Sequence, residues 1–263
     1  MTDILETIVA QKRLEVAAAM EHLPERELHR IVEQQLAEGV PRRSLATALS
    51  TSATGIVAEF KRRSPSKGWL KEDGRPDVIP PAYERAGAAA LSILTDEPFF
   101  GGCQAFIQTA RPLVRIPILR KDFIIDEYQL FEARRIGADA VLLIAACLPL
   151  PQCRALVSLA HELNLEVLLE LHAEKELVYG ELEADCFGIN NRHLGTFVTD
   201  VQNSFRLADR LPADRPLVSE SGISSPATIR QLRAVGYRGF LIGETFMKTP
   251  DPGAALEQLI KEL

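Results

Sequence analysis

The stretch RRIGADAVLLI (residues 134–144) runs from helix-forming residues through a glycine straight into an apolar run, and RAGAAALSIL (85–94) and AVGYRGFLIG (234–243) repeat the arrangement. A glycine just past a helix takes up a left-handed cap without the Cβ penalty. Each copy therefore reads as a helix feeding a strand. Working outward, eight short runs recur from Gly55 onward: GIVAEFK (55–61), AAALSILTD (88–96), PILRKDF (117–123), AVLLIAA (140–146), LEVLLELH (165–172), CFGINN (186–191), PLVSES (216–221) and GFLIG (239–243). Most are apolar on both faces, as strands must be when helices cover one side and a core fills the other. The alternation predicts an α/β chain with a parallel sheet. An open doubly wound sheet is the alternative, but no strand is followed by GxGxxG or GxxxxGK[ST], the two common nucleotide cradles. A closed (β/α)8 TIM barrel is the expected fold.

The 263 residues match the ~250 typical of one such barrel. The expectation is a single barrel domain over 1–263, with residues 1–50 forming an N-terminal helical extension packed on it. Ile4, Leu5, Ile8 and Val9 recur at helical spacing, and Pro24 opens a second run through Ile31 and Leu36 to Gly39. Thirty basic against thirty-six acidic residues leave a net charge of −6, so no chain-wide attraction to nucleic acid or anionic lipid is expected and any anion site must be local. Cys103, Cys147, Cys153 and Cys186 and the five histidines lack close ligand spacing, which argues against a zinc site and a disulfide framework. No metal or cofactor is expected. The N-terminus lacks a basic region followed by an apolar one, and no run approaches the ~20 apolar residues of a membrane span. A cytoplasmic location follows as the expectation.

In a (β/α)8 barrel the reactive groups stand at the C-terminal ends of strands. Glu59 and Lys61 share a face at the first strand's end; Lys121 ends the third, Glu170 the fifth, Asn190 the sixth and Glu220 the seventh. Charges kept at such positions must pair, serve a ligand, or both, because burying one alone costs several kcal/mol. A purely structural ring of ion pairs is the other reading. SESGIS (219–224) and LIGETFMK (241–248) each supply a glycine before a helix start, where exposed N–H groups bind phosphate. Gly222, Gly243 and Glu244 are assigned there, Glu244 through its main chain only, against the alternative of two ordinary turns. The segment KRRSPSKGWL (61–70) resembles a nucleic-acid patch in isolation. Following a core strand in an acidic chain, it reads as a first βα loop whose Ser64 and basic groups close over an anion, or as a solvated loop. His172, two residues beyond Glu170, is placed near the site, while His22, His29 and His161 fall on helices.

These motifs, in this order, resemble the indole-3-glycerol-phosphate synthase family over nearly the whole chain. The likeness rests on ILETIVAQKRLEV (4–16), AEFKRRSPSKG (58–68), LTDEPFFGG (94–102), ILRKDFI (118–124), LLELH (168–172), GINNRHL (188–194), VSESGI (218–223) and LIGETFMK (241–248). The last two are shared by related phosphate-binding barrels; the basic first loop with LRKDFI and GINNR is the specific part. Two positions depart: Cys103 follows FFGG where serine is more usual, and an acid follows Gly243 where some relatives have serine. The resemblance implies a carboxy-lyase of tryptophan biosynthesis that acts without a cofactor on 1-(2-carboxyphenylamino)-1-deoxyribulose 5-phosphate. Ring closure, decarboxylation and dehydration would release indole-3-glycerol phosphate, CO2 and water.

On that reading Lys121 is the acid that protonates the developing alkoxide, its pKa lowered by a neighbouring cation and partial burial. Lys61 holds the leaving carboxylate, Glu170 is the base of the dehydration, and Glu59 and Glu220 orient the lysines and sugar hydroxyls. Asn190, Arg192 and Ser221 line the pocket, with Phe99, Phe123 and Leu194 as its apolar walls. The family's opening helix is expected to fold over the barrel mouth. A small-molecule sugar phosphate is the expected partner of a monomer that associates at most weakly with neighbouring pathway enzymes. Three rivals stand beside it: a Schiff-base aldolase using Lys121, a phosphoribosylanthranilate isomerase, and a non-catalytic sugar-phosphate sensor.

Overall fold

The computed structural model describes residues 4–193, 195 and 198–263. Eight parallel strands close into a barrel in sequential order: β1 (Ile56–Phe60), β2 (Ala90–Leu94), β3 (Ile118–Lys121), β4 (Ala140–Ile144), β5 (Glu166–Leu171), β6 (Cys186–Asn190), β7 (Leu217–Glu220) and β8 (Tyr237–Ile242). Closure is made by β1 against β8, with Ile56 opposite Phe240. All eight expected runs are strands, and seven are buried along almost their whole length because helices cover their outer face.

Three helices precede the barrel: α1 (Ile4–His22), α2 (Glu25–Ala37) and α3 (Leu45–Thr51). The sequence reading anticipated two. The third is only seven residues long, capped where the Ser44 side chain accepts the Thr47 N–H, and too short for helical periodicity to show. Its Leu45 and Leu49 are fully buried and pack with Val57, Ala90 and Val218 inside the barrel. Nearby, Glu166 accepts the Ala46 N–H and Asp139 accepts the Arg43 N–H, which fastens the incoming chain to the barrel's N-terminal end. Helix α2 buries Leu28 and Val32 completely, and His29 stacks on Phe131 at 3.7 Å.

The connecting helices are α4 (Ile79–Arg85), α5 (Glu97–Phe100), α6 (Gln104–Ala110), α7 (Tyr128–Ile136), α8 (Leu150–Glu162), α9 (Gln202–Leu207), α10 (Pro226–Ala234), α11 (Glu244–Met247) and α12 (Pro252–Lys261). After β5 the crossover is a 3-10 turn over Glu174–Glu181. The first loop folds as a two-stranded antiparallel ribbon, Arg63–Ser64 against Gly68–Trp69, with the Arg62 and Arg63 guanidinium groups over the Trp69 ring. Gly137 and Gly236, two of the three repeated joint glycines, have φ +90 and +105, and Gly87 has +100. No helix among the described residues is long and apolar enough to cross a membrane.

Candidate active site

The strand register fixes which chemistry meets at the barrel mouth. Glu59, Lys121, Glu170 and Glu220 come from the alternate strands β1, β3, β5 and β7, each two residues beyond the register partner of the one before, and that stagger puts them in one layer of a (β/α)8 barrel. Lys121 Nζ donates to Glu170 Oε2 at 2.8 Å and to Glu220 Oε2 at 2.6 Å. Across the mouth Lys61 pairs with Glu59. The three carboxylates are buried, while the two lysine side chains remain 13–14% exposed and face a cavity of about 580 Å³. Two glycines make the arrangement possible. A Cβ at Gly243 would strike the Glu59 carboxylate, and one at Gly188 would strike Glu220 Oε1.

Three acids share two lysines, and their protonation follows from the imbalance. Burial alone would push the Lys121 ammonium down, but Glu170, Glu220 and Glu59 outweigh it and hold its pKa well above the ordinary value. The expectation of a lowered pKa is therefore corrected: the groups in contact with Lys121 are the carboxyls of Glu170 and Glu220, and Lys61 is paired with Glu59. Burial would raise Glu170, yet Lys121 and the imidazole of His172 draw it well below the carboxylate range. Glu220 takes the opposite course. Burial, reinforced by the charge of Glu170, lifts it to about 8 despite Lys121.

Directly after Glu220, β7 gives way to Ser221 and Gly222, both left-handed at φ +67 and +75. For a serine that conformation costs of order 1–3 kcal/mol, and it persists because Asn191 Nδ2 donates to the Ser221 carbonyl at 3.0 Å. A side chain at Gly222 would meet Thr199 Cγ2 at 2.6 Å. Gly222, Ser224, Gly243, Glu244 and Thr245 line this end together with Lys67 and Lys248. Backbone N–H groups at a loop and a helix start, with two lysines nearby, suit an anion. The Glu244 side chain turns aside, 3.7 Å from Arg192, whose guanidinium also donates to Ser66 Oγ of the first loop.

The remaining wall is apolar. Helix α1 lies over the mouth with Ile4, Leu5 and Ile8 in the cavity lining, and Phe123 and Phe100 face each other at 6.1 Å. Phe100, not Phe99, reaches the cavity, because successive residues of a helix point about 100° apart and α5 can aim one ring inward. Ser64 is likewise absent from the lining. It lies buried in the ribbon, paired with Gly68, and Pro65, Ser66 and Lys67 at the turn reach the mouth in its place. Leu194 lies outside the described residues. The other sequence-derived residues, Glu59, Lys61, Lys121, Phe123, Glu170, Asn190, Arg192, Glu220, Ser221, Gly222, Gly243 and Glu244, all line the one cavity.

Sequence reasoning missed Lys12, which pins α1 in place. Its ammonium is 2.9 Å from Asp96 and 2.9 Å from Asp122, which flank the aromatic wall, and 2.6 Å from Glu15. Burial would raise Asp122, but Arg120 and Lys12 bring it down to about 2. The signal was present: Leu5, Ile8, Lys12 and Val16 are the buried stripe of α1, and a lysine on an apolar stripe needs a partner.

The family model described as indole-3-glycerol phosphate synthase matches residues 5–259. The chain is 58% identical to the indole-3-glycerol phosphate synthase of Bacteroides thetaiotaomicron, over the whole of both chains. It is 45% identical to that of an Azoarcus species, covering 98% of this chain and 99% of the relative. Among solved structures, the tryptophan synthase complex of Pyrococcus furiosus gives a TM-score of 0.58 at 13% identity, over 80% of this chain and 97% of that one. The N-acetylmannosamine-6-phosphate 2-epimerase of Clostridium perfringens gives 0.60 at 14%, over 82% and 96%. At such identities the structural likeness speaks for the fold alone.

Proposed function

This chain belongs to the indole-3-glycerol phosphate synthase family, and from that premise we propose that it converts 1-(2-carboxyphenylamino)-1-deoxyribulose 5-phosphate to indole-3-glycerol phosphate, CO2 and water. One observation carries the chemistry: a lysine clamped by two buried carboxylates faces a second lysine–carboxylate pair across a cavity that is apolar on one wall and anion-binding on another. The phosphate lies on the N–H groups around Gly222, Gly243 and Glu244, and the aromatic ring against Phe123, Phe100 and the α1 residues. That placement extends the sugar carbonyl toward Lys121.

The aromatic carbon attacks the C2 carbonyl, and Lys121, charged because the Glu170 carboxylate lies beside it, delivers a proton to the developing alkoxide. The carboxylate, held against Lys61, departs as CO2 and returns its bonding electrons to the ring. Loss of the new hydroxyl as water, assisted by Lys61, and removal of the C1 proton by Glu170 complete the indole. Glu170 is fitted to be the base because it is ionised, and Glu59 and Glu220 orient the lysines and sugar hydroxyls. Asn190 presents Oδ1 to the Arg192 N–H at 3.0 Å, which holds the β6 loop at the cavity edge with Ser221 opposite. The same charge on Lys121 weighs against a Schiff-base aldolase, whose lysine must attack as the neutral amine.

We place the enzyme in the cytoplasm as a monomer needing no cofactor. The test is to mix EDTA-treated protein with the carboxyphenylamino substrate and follow indole fluorescence. Rapid appearance of indole is expected; folded protein that yields none, or that is trapped on Lys121 by borohydride, overturns the assignment.

A further inference from the structure

In contact with Glu170, and outside the cavity lining, stands an imidazole that the proposed chemistry does not use. His172 follows directly on β5 and its side chain is 9% exposed. Its Nε2 lies 3.1 Å from Glu170 Oε1, the oxygen not taken by Lys121, and its Nδ1 lies 3.8 Å from Glu176 Oε2. Among the described residues neither ring nitrogen makes an aligned hydrogen bond, and Glu170 and Glu176 are the acids within 4 Å of the ring. The backbone of His172 is fixed on both sides: its N–H donates to Glu176 Oε2 at 2.6 Å, and its carbonyl accepts from Asn203 Nδ2 at 3.0 Å. Burying an imidazole without an aligned hydrogen bond is unfavourable, so the cost of holding the ring in this position is offset chiefly by its close contact with the Glu170 carboxylate.

We propose that His172 is a positioning residue for Glu170, the close Nε2–Oε1 contact holding that oxygen so that Oε2 stays beside Lys121. This rests on reading Glu170 as the base. The terminal torsion of a glutamate is broad and roughly two-fold, so a single contact on Oε2 leaves the carboxylate plane free to swing. A second contact on Oε1 fixes the plane and the direction of the basic lone pair. Glu176 completes the clamp by holding the segment that carries the ring, which makes Glu170, His172 and Glu176 a line running outward from the reacting atoms.

The test compares wild-type protein with His172→Leu, His172→Gln, His172→Asn and Glu170→Gln, reading kcat and KM for indole formation and checking folding by thermal unfolding. Glutamine can place an N–H where Nε2 stands; asparagine reaches only the Nδ1 position. His172→Leu and His172→Asn should lose about tenfold in kcat with KM within about twofold, and His172→Gln should keep most of kcat. If the leucine protein does not fold, the asparagine and glutamine proteins carry the comparison. Wild-type kcat in His172→Asn, an equal fall in His172→Gln, or a change in KM alone overturns the inference. Normal turnover in Glu170→Gln would instead remove the base reading itself.

Discussion

Lys121 Nζ and Glu220 Oε2 are 2.6 Å apart, yet Glu220 is the carboxyl that burial, with the charge of Glu170 added, raises to about 8. Below that pH one proton resides on Glu220 and Lys121 answers to one full carboxylate; above it a second negative charge tightens the hold on the lysine proton. kcat should therefore fall as pH rises through about 8, and Glu220→Gln should lack that step. The stability sign agrees. A carboxyl raised in the folded state contributes stability that is present below its ordinary pKa of about 4.3 and lost as pH climbs toward its folded value. Rate and urea-unfolding profiles of both proteins check the two statements.

Gly188 supplies the space in which Glu220 sits, and a methyl group there would strike Oε1. Gly188→Ala should leave the barrel folded but displace the carboxylate, lowering kcat by about 10- to 100-fold, since a shift of an ångström at a reacting group has that effect. Steady-state turnover beside a thermal melt separates the two consequences.

Lys12 pairs with two buried aspartates, and among the described residues removing it leaves Asp96 without a cation and Asp122 with Arg120 alone. Lys12→Met should destabilise the protein by about 3–5 kcal/mol, the cost of breaking a buried pair on one side. Because α1 then loosens from the aromatic wall, KM should also rise. Urea unfolding gives the first number and substrate titration the second.

Asp139 works at the other end of the barrel. It accepts the N–H of Arg43 at 2.8 Å and of Ile118 at 2.9 Å, and pairs with Arg111 at 2.5 Å. Asp139→Ala strands those donors and should cost about 1–3 kcal/mol in stability while kcat stays within about twofold, because the N-terminal face of a barrel serves stability rather than chemistry.

The barrel was legible because its signals are local. The joint glycines Gly87, Gly137 and Gly236 do adopt the left-handed conformation their position after a helix requires, and polar residues at strand ends do converge. What stayed hidden depends on pairing across the fold. Nothing in ILRKDFI shows that Lys121 meets two carboxylates and no cation, so the direction of its pKa shift was misread. The choice between Phe99 and Phe100 turns on how a four-residue helix is set by the Asp96 cap, and Ser64 is withdrawn by a ribbon whose register its sequence does not reveal. The role of Lys12 depends on Asp96 and Asp122 lying beneath α1, a pairing across the fold that the helix's own residues do not reveal.

Turnover of saturating substrate by Lys121→Ala, measured beside the wild type as the rise of indole fluorescence, tests whether Lys121 supplies the proton for ring closure. kcat should fall by about 10²-fold or more, as general acids contribute that much, with phosphate affinity retained at the Gly222 and Gly243 loops. Near-normal kcat in the folded variant would contradict that role.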